Sequence, residues 1–248
     1  MLITGKDYSP RYDKHYLTSL FEPGSVAVIG ASERAGAVSS IVLRNLLDAG
    51  YRGRLFAVNP HHANVHGVPS FASIDAIPAR IELAIVVTPA ATVPQVIEDA
   101  GHAGVRAAVV ISAGFGETGA AGKTLENALL ANARRHGMRL LGPNCIGVMR
   151  PDIGLNATFA KGSVQPGSLA LVSQSGAMCT AILDWAAPNG VGFSSVVSLG
   201  SSIDIDFGEV LDYLVADSKT EHILLYIEGI HNSRSFMSGL ARHAEPVT

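Results

Sequence analysis

Short apolar runs, each closed by a small or polar residue, recur along this chain from Ser25 to Ile227, with stretches of helical periodicity between them. Strands buried on both faces read as continuous hydrophobic runs, and parallel neighbours need a helix-length crossover. The alternation therefore specifies an α/β chain built on parallel sheet. A first series of strands is expected at 25–29, 55–58, 83–87, 107–112 and 138–141. Helices fall between most of them, one carrying Val38, Ile41, Val42, Leu46 and Leu47 on its apolar face, others at 93–100 and 124–136. A turn-rich stretch, 143–167, precedes a restart of the pattern. Strands follow at 169–173, 193–199 and 222–227, and helices at 176–187, 207–216 and 234–243. The simplest division is an extension at 1–20, one domain at 21–150 and a second at 151–248. Residues 246–248 read as the opening of a further strand, so the chain is expected to be a fragment whose second domain is truncated.

Length and charge remove several classes of function. A 248-residue chain with 48% hydrophobic residues and 26 glycines suits a well-buried α/β protein. Its net charge is −3, and its 18 basic residues are scattered, which argues against nucleic acid or an anionic membrane as partner. No apolar run approaches a membrane span, and the first 20 residues lack a signal-peptide core, so a cytoplasmic location is expected. Cys145 and Cys179 read as small buried hydrophobes.

Ligands of open α/β sheets sit beyond the carboxyl ends of the strands, and the residues there form a coherent set. The first run, Val-Ala-Val-Ile, enters Gly30, Ala31 and Ser32 and then a helix expected to begin at Ala35 or Gly36. Such a turn suits a phosphate: glycine opens the backbone, small side chains leave room, and the helix start offers free N–H donors. The spacing is G-x5-G, and Asn59-Pro60 stand where a NAD site places an acid, so the ligand is read as a nucleotide other than NAD. Further along the rim come Thr88, Pro89 and Ala90, then Ser112 and Gly114, then Asn144. In the second series Ser173, Ser175 and Gly176 offer hydroxyls and backbone donors for a phosphoryl group. Glu228 follows four apolar residues; position alone leaves it equally a solvated strand-end acid. Glu117 is either an active-site contact or an exposed loop acid.

Other patterns carry less. His61, His62 and His66 lack the spacing of a metal site, and no metal is expected. Ser175 lacks the flanking glycines of a nucleophile elbow. Met178, Ile182, Leu183 and Trp185 read as helix packing.

Seven segments in order carry a family resemblance: Val-Ile-Gly-Ala-Ser at 28–32, Val-Asn-Pro at 58–60, Ser-Ala-Gly-Phe-Gly-Glu at 112–117, Gly-Pro-Asn-Cys-Ile-Gly at 142–147, Val-Ser-Gln-Ser-Gly-Ala at 172–177, Ser-Leu-Gly at 198–200 and Leu-Leu-Tyr-Ile-Glu-Gly at 224–229. With them the chain resembles the nucleoside-diphosphate-forming acyl-CoA synthetases and their succinyl-CoA synthetase α-subunit relatives, from Phe21 onward. The resemblance implies a Rossmann-like CoA-binding domain followed by a flavodoxin-like succinyl-CoA-ligase domain. It implies that Gly30, Ala31, Ser32, Gly36, Asn59, Pro60, Thr88, Pro89, Ala90, Ser112 and Gly114 line a site for CoA or acyl-CoA. It places phosphate or acyl phosphate at Asn144, Ser173, Ser175 and Gly176, and makes Glu228 the carboxylate that pairs with a phosphorylated histidine.

In that chemistry phosphate displaces CoA from the thioester, the phosphoryl group passes to histidine, and a mobile loop carries it to a nucleotide. ATP or ADP and magnesium enter only through a separate ATP-grasp unit. None of the nine histidines stands in the context of the phosphorylated one, so the isolated chain is expected to bind CoA without completing the ligase reaction. His61 or His62 takes the place of a lysine in many relatives, which implies modest CoA affinity. The stretch 205–214 is similar to fusions with a protein-lysine N-acetyltransferase, which implies that the chain is the N-terminal part of a longer synthetase-like protein carrying such a domain, and with it an alternative function: an acyl-CoA-sensing regulatory lobe. An oligomer is compatible with these readings. A NAD-sensing regulator is disfavoured by Asn59 and the missing third glycine.

Overall fold

The computed structural model describes residues 15–162, 164–230 and 232–244, and its α/β architecture follows the alternation of the sequence. After a short helix α1 (Thr18–Phe21) come β1 (Ser25–Ile29), α2 (Val38–Asp48), β2 (Arg54–Val58), β3 (Asn64–Val65), β4 (Val68–Phe71), β5 (Leu83–Val86), α3 (Val93–His102), β6 (Ala107–Val110), α4 (Ala120–Arg135) and β7 (Arg139–Leu141). The second unit contains β8 (Gly147–Arg150), β9 (Leu155–Thr158), β10 (Pro166–Ser173), α5 (Gly176–Ala186), β11 (Phe193–Ser198), α6 (Phe207–Ala216), β12 (His222–Tyr226) and α7 (Ser233–Ala244). The expected strand at 246–248 and residues 1–14 of the expected extension lie outside the described residues.

The first sheet runs β3-β4-β2-β1-β5-β6-β7, and its five principal strands β2, β1, β5, β6 and β7 are parallel. The chain leaves β1 toward β2 on one side and returns to β5 on the other. A crevice therefore opens at the carboxyl ends of β1 and β5, where connections diverge. The second sheet runs β12-β10-β11-β8-β9; β10 is parallel to β11 and β12, while β8 and β9 are antiparallel.

Two strand pairs depart from the sequence reading. The 143–167 stretch, read as turns, supplies β8 and β9, so the second sheet takes its first strand from residues 147–150, on the amino-terminal side of the expected 150/151 division. The β3–β4 hairpin is built on His66 and Gly67, both at positive φ, the backbone that a two-residue hairpin turn needs. Helix α2 begins at Val38, later than Ala35 or Gly36, because Gly36 sits in the preceding turn at φ +75°. Its buried face comprises Ser39, Ser40, Val42, Leu43 and Leu46, leaving Val38 and Leu47 exposed.

Helix α5 corrects half of another expectation: Leu183 is buried and Ile182 packs against the core, whereas Met178 and Trp185 are exposed. It buries Cys179, Leu183 and Ala186, spaced for one helical face; Met178 and Trp185 lie round the cylinder, and Trp185 is 63% exposed. Both cysteines are buried, and burial pushes their thiols up to about 12, which leaves them as packing groups.

The two sheets share one core. Val26, Leu43, Ile85 and Leu141 belong to the same buried cluster as Val148, Leu155, Val172 and Leu211. Each such side chain contributes roughly 1.5–3 kcal/mol by leaving water. Asn45 on α2 donates to the carbonyls of Thr158 and Ala160, fastening the helix to the β9 end. Beyond β7, Ile205 N–H donates to Leu140 O, and the Asp204 carboxylate accepts from Arg139 Nε and Leu140 N–H, each at 2.9 Å. Arg150 of β8 is 2% exposed in its side chain and donates to Asp217 and Ser195.

Helix α6 opens on a capping box in which Asp206 accepts from Gly208 N–H and Glu209 accepts from Asp206 N–H. Burial, followed by the neighbouring Asp206 side chain, pushes the Glu209 carboxyl up to about 7. A folded-state value above the unfolded one means that the proton favours the native form. That contribution is complete below the ordinary glutamate range and is lost as pH rises through about 7. Glu209→Gln keeps a backbone acceptor without the charge. Its melting temperature should therefore fall less than the wild type's between pH 5 and pH 8, as followed by circular dichroism; parallel curves would refute the assignment.

Candidate functional site

A crevice of about 950 Å³ lies between the carboxyl ends of the first sheet and the start of α5. Its size falls toward the upper end of the roughly 300–1,000 Å³ typical of small-molecule sites. From the first unit it takes Gly30, Ser32, Thr88, Pro89, Ala90 and Ser112, and from the junction and second unit Asn144 and Gly176. The sequence reading thus named residues from both units that share one cavity.

Several of its features are of the kind that suits an anion. The cap residue of helix α2, Ala37, makes no side-chain cap, and Ala37, Val38 and Ser39 line the crevice, which brings the first turn of the helix and the positive end of its dipole to the crevice wall. Helix α5 approaches from the other unit, its cap supplied by Ser175, which accepts from Met178 N–H at 3.3 Å. Arg34 also lines the cavity and brings a cation to the turn after β1. Gly30, at φ +86°, is required there: a Cβ would sit 2.9 Å from Thr88 Cγ2 and 3.2 Å from Val87 O. Ser112 Oγ donates to Thr88 O at 2.6 Å, locking the β5 and β6 exits together.

Other expected residues stand apart from the main cavity. Asn59 and Pro60 border a smaller adjoining space of about 240 Å³ that shares Gly30 and Thr88. Asn59 Nδ2 donates to Ala31 O at 2.7 Å, and Ala31 itself is buried in the core. Gly36 occupies the turn ahead of α2, and Gly114 donates its N–H to Glu117. Glu117 also accepts from Phe115 N–H, so its carboxylate closes its own loop; burial raises its pKa, but these backbone bonds take it below the ordinary value. Ser173 Oγ donates to Ser175 O and accepts from Ser175 N–H, fixing the turn rather than lining the space.

Glu228 is exposed just beyond β12. Its N–H and that of Gly229 both donate to Gln174 Oε1, at 2.7 and 3.0 Å, while Gln174 Nε2 donates to Gly229 O. Gln174 lines the crevice and holds the β12 exit against it. Sequence reasoning placed Gln174 on the strand-tip rim, where it lines the crevice, but missed Arg34 and the contact that Gln174 makes. A cation inside a phosphate-type turn was the available signal for the first; the second required knowing that β10 and β12 are neighbours.

His66 is held by Ser40 Oγ at 2.8 Å and donates its N–H to Glu33, while His61 N–H bonds Asn59. No helix among the described residues is long and apolar enough to cross a membrane.

Comparison with known proteins matches the two units separately. The family described as CoA binding domain matches residues 24–151, and that described as succinyl-CoA ligase like flavodoxin domain matches 166–247. The chain is 45% identical over 218 residues to acetate–CoA ligase [ADP-forming] I of Archaeoglobus fulgidus, covering 88% of this chain and 32% of that protein. It is 43% identical over 225 residues to the α subunit of acetate–CoA ligase [ADP-forming] I of Pyrococcus furiosus, covering 89% and 49%. A dinucleotide-forming acetyl-coenzyme A synthetase 1 of Ca. Korarchaeum cryptofilum, solved with phosphate and ADP, superposes with a TM-score of 0.88 at 37% identity, covering 92% of this chain and 49% of that one. The chain spans half or less of the length of these relatives. It belongs to the CoA-binding-domain family, in the arrangement where that Rossmann-like domain precedes a succinyl-CoA ligase like flavodoxin domain, and is homologous to the α subunit of ADP-forming acetyl-CoA synthetases.

Proposed function

We propose that this chain is the CoA- and acyl-CoA-binding part of a nucleoside-diphosphate-forming acyl-CoA synthetase acting on acetyl-CoA or another short acyl-CoA. The observation that carries the reading is the single crevice onto which uncapped α2, Arg34 and the start of α5 converge. On this reading the CoA pyrophosphate lies against the Gly30–Ser32 turn, Arg34 and the first N–H groups of α2. The pantetheine arm runs past Thr88, Pro89, Ala90 and Ser112 toward Asn144. There the thioester meets inorganic phosphate held at the α5 N-terminus near Gly176, with Ser173 and Ser175 shaping the turn.

A phosphate oxygen attacks the carbonyl carbon, the new O–C bond forms, the C–S bond breaks, and CoA leaves as thiolate. The chain's contribution is positioning and charge stabilisation, as phosphoryl chemistry generally requires. A histidine nitrogen then attacks the phosphorus of the acyl phosphate, the P–N bond forms, the P–O bond to the acyl group breaks and the acid leaves as carboxylate, with Glu228 pairing with that histidine at the β12 exit. Transfer to a nucleoside diphosphate with magnesium belongs to an ATP-grasp partner. The 248-residue chain alone is accordingly a binder rather than a complete ligase. The relatives reported above are synthetases, and no observation favours the acetyltransferase reading.

Calorimetric titration with CoA, acetyl-CoA and NAD tests the assignment. CoA and acetyl-CoA should bind more tightly than NAD, and tighter NAD binding would overturn it. Arg34 is exposed and meets the pyrophosphate through charge, so Arg34→Ala should weaken CoA roughly five- to tenfold, with the deficit shrinking at high salt. An unchanged affinity would remove Arg34 from the site.

A further inference from the structure

On the side of the first sheet away from the crevice, α3 and α4 end together. Glu98 and His102 sit one turn apart near the end of α3, and His136 follows the last residue of α4. Glu98 Oε1 lies 3.3 Å from His136 Nε2 and 3.9 Å from His102 Nε2, and the two imidazole centroids are 4.7 Å apart. The three potential ligand atoms all fall within 4.8 Å of one another. Among the described residues this is the one group of three metal-ligating side chains so gathered.

Three further observations separate the cluster from an ordinary surface ion pair. Arg135 donates to the second Glu98 oxygen at 2.7 Å, which leaves Oε1 turned to the imidazoles. The His136 side chain is 15% exposed, and its Nε2 is shielded from water without a hydrogen-bond partner. A Cβ at residue 101 would lie 2.3 Å from the His136 ring, so Gly101 is what allows the ring to reach Glu98.

We propose that Glu98, His102 and His136 form a binding site for a divalent transition metal of the zinc class. Two imidazole nitrogens and one carboxylate oxygen suit zinc, nickel or copper rather than magnesium or calcium, which prefer all-oxygen shells. Ligand atoms about 2.0–2.1 Å from a tetrahedral zinc stand roughly 3.3 Å from one another. The Glu98–His136 pair already has that spacing, and the exposed His102 closes the remainder by side-chain rotation. Water takes the fourth position. The negative ends of two helices converge here, which favours a cation. Because the site lies where α3 and α4 lead into β6 and β7, away from the rim that lines the crevice, the metal's role is to tie two helix ends together. Binding then raises stability in proportion to metal concentration over dissociation constant.

The test is calorimetric titration of the chelator-treated full chain with zinc chloride, alongside thermal melts. One-to-one binding in the micromolar range is expected, with a raised melting temperature and no response to equimolar magnesium. His102→Ala, at an exposed position, should fold normally and lose roughly 100-fold or more in zinc affinity, since even partners of a ligand are typically worth 10–100-fold; Glu98→Gln should do the same. A His61→Ala/His62→Ala variant should bind as the wild type does. Absence of saturable binding, or binding that survives His102→Ala and disappears in the His61/His62 variant, would overturn the proposal.

Discussion

Arg150→Ala should destabilise the protein by about 3–5 kcal/mol, the cost of leaving a buried carboxylate without its partner. Arg150 Nη1 donates to Asp217 Oδ2 at 2.5 Å and to Ser195 Oγ at 3.0 Å, and Nη2 lies 3.7 Å from Glu22. The side chains of Arg150 and Asp217 are both almost wholly enclosed. Burial alone would raise the Asp217 carboxyl, but the Arg150 guanidinium holds it below its ordinary value. Removing the guanidinium strands that charge among Ser195, Thr220 and the β8–β11 pair. For a chain of this size the loss corresponds to roughly 6–20 °C in melting temperature. Arg150→Met combined with Asp217→Leu removes both charges and should recover much of the loss, because the penalty belongs to the unpaired group rather than to the absent bridge. Melts of the single and double variants decide it: a single variant within about 1 kcal/mol of the wild type would contradict the argument.

Gly30→Val should weaken CoA binding about 100-fold, equivalent to roughly 3 kcal/mol. A β-branched residue is forced there into φ +86°, and its first carbon already meets Thr88 Cγ2 and Val87 O. Relief requires the β1 exit to move away from the β5 exit, and those two exits form the wall to which the pyrophosphate is assigned. Calorimetry with CoA should show the loss while circular dichroism shows a folded chain with a lower melting temperature. Retention of wild-type affinity in a folded Gly30→Val protein would separate the β1 turn from CoA.

Much of this arrangement was legible because buried parallel strands advertise themselves. Residues 25–29 and 207–216 were placed as they stand in β1 and α6, and the other expected strands and helices of both series differ only at their ends. What escaped was antiparallel and local. In and between β8 and β9, glycines 147 and 154 and Pro151 looked like turns, yet β8 is ordered by pairing with β11, which lies some 50 residues along the chain, and β9 by pairing with β8. The β3–β4 hairpin hides behind His66, a residue without the usual turn signature. On α5, helical spacing alone could not tell the buried stripe at Cys179, Leu183 and Ala186 from its neighbour at Met178 and Trp185, because both are apolar.

The lining of the candidate crevice was legible at strand tips and opaque wherever two elements meet. Gly30, Thr88, Ser112, Asn144 and Gly176 follow from the rule that ligands sit beyond carboxyl ends. Gln174's grip on the Glu228–Gly229 backbone depends on β10 pairing with β12, and the Glu98–His102–His136 cluster depends on two helices ending side by side. Neither adjacency has a local signature.

The apolar interior that runs without interruption from β1 through Leu43 to Val172 and Leu211 bears on how a guest is admitted. A hinge between the halves would have to tear that interior and strip Asn45 from two carbonyls, so the jaws stand at a fixed gape. Any widening of the crevice is then left to the thin rim of loops around it.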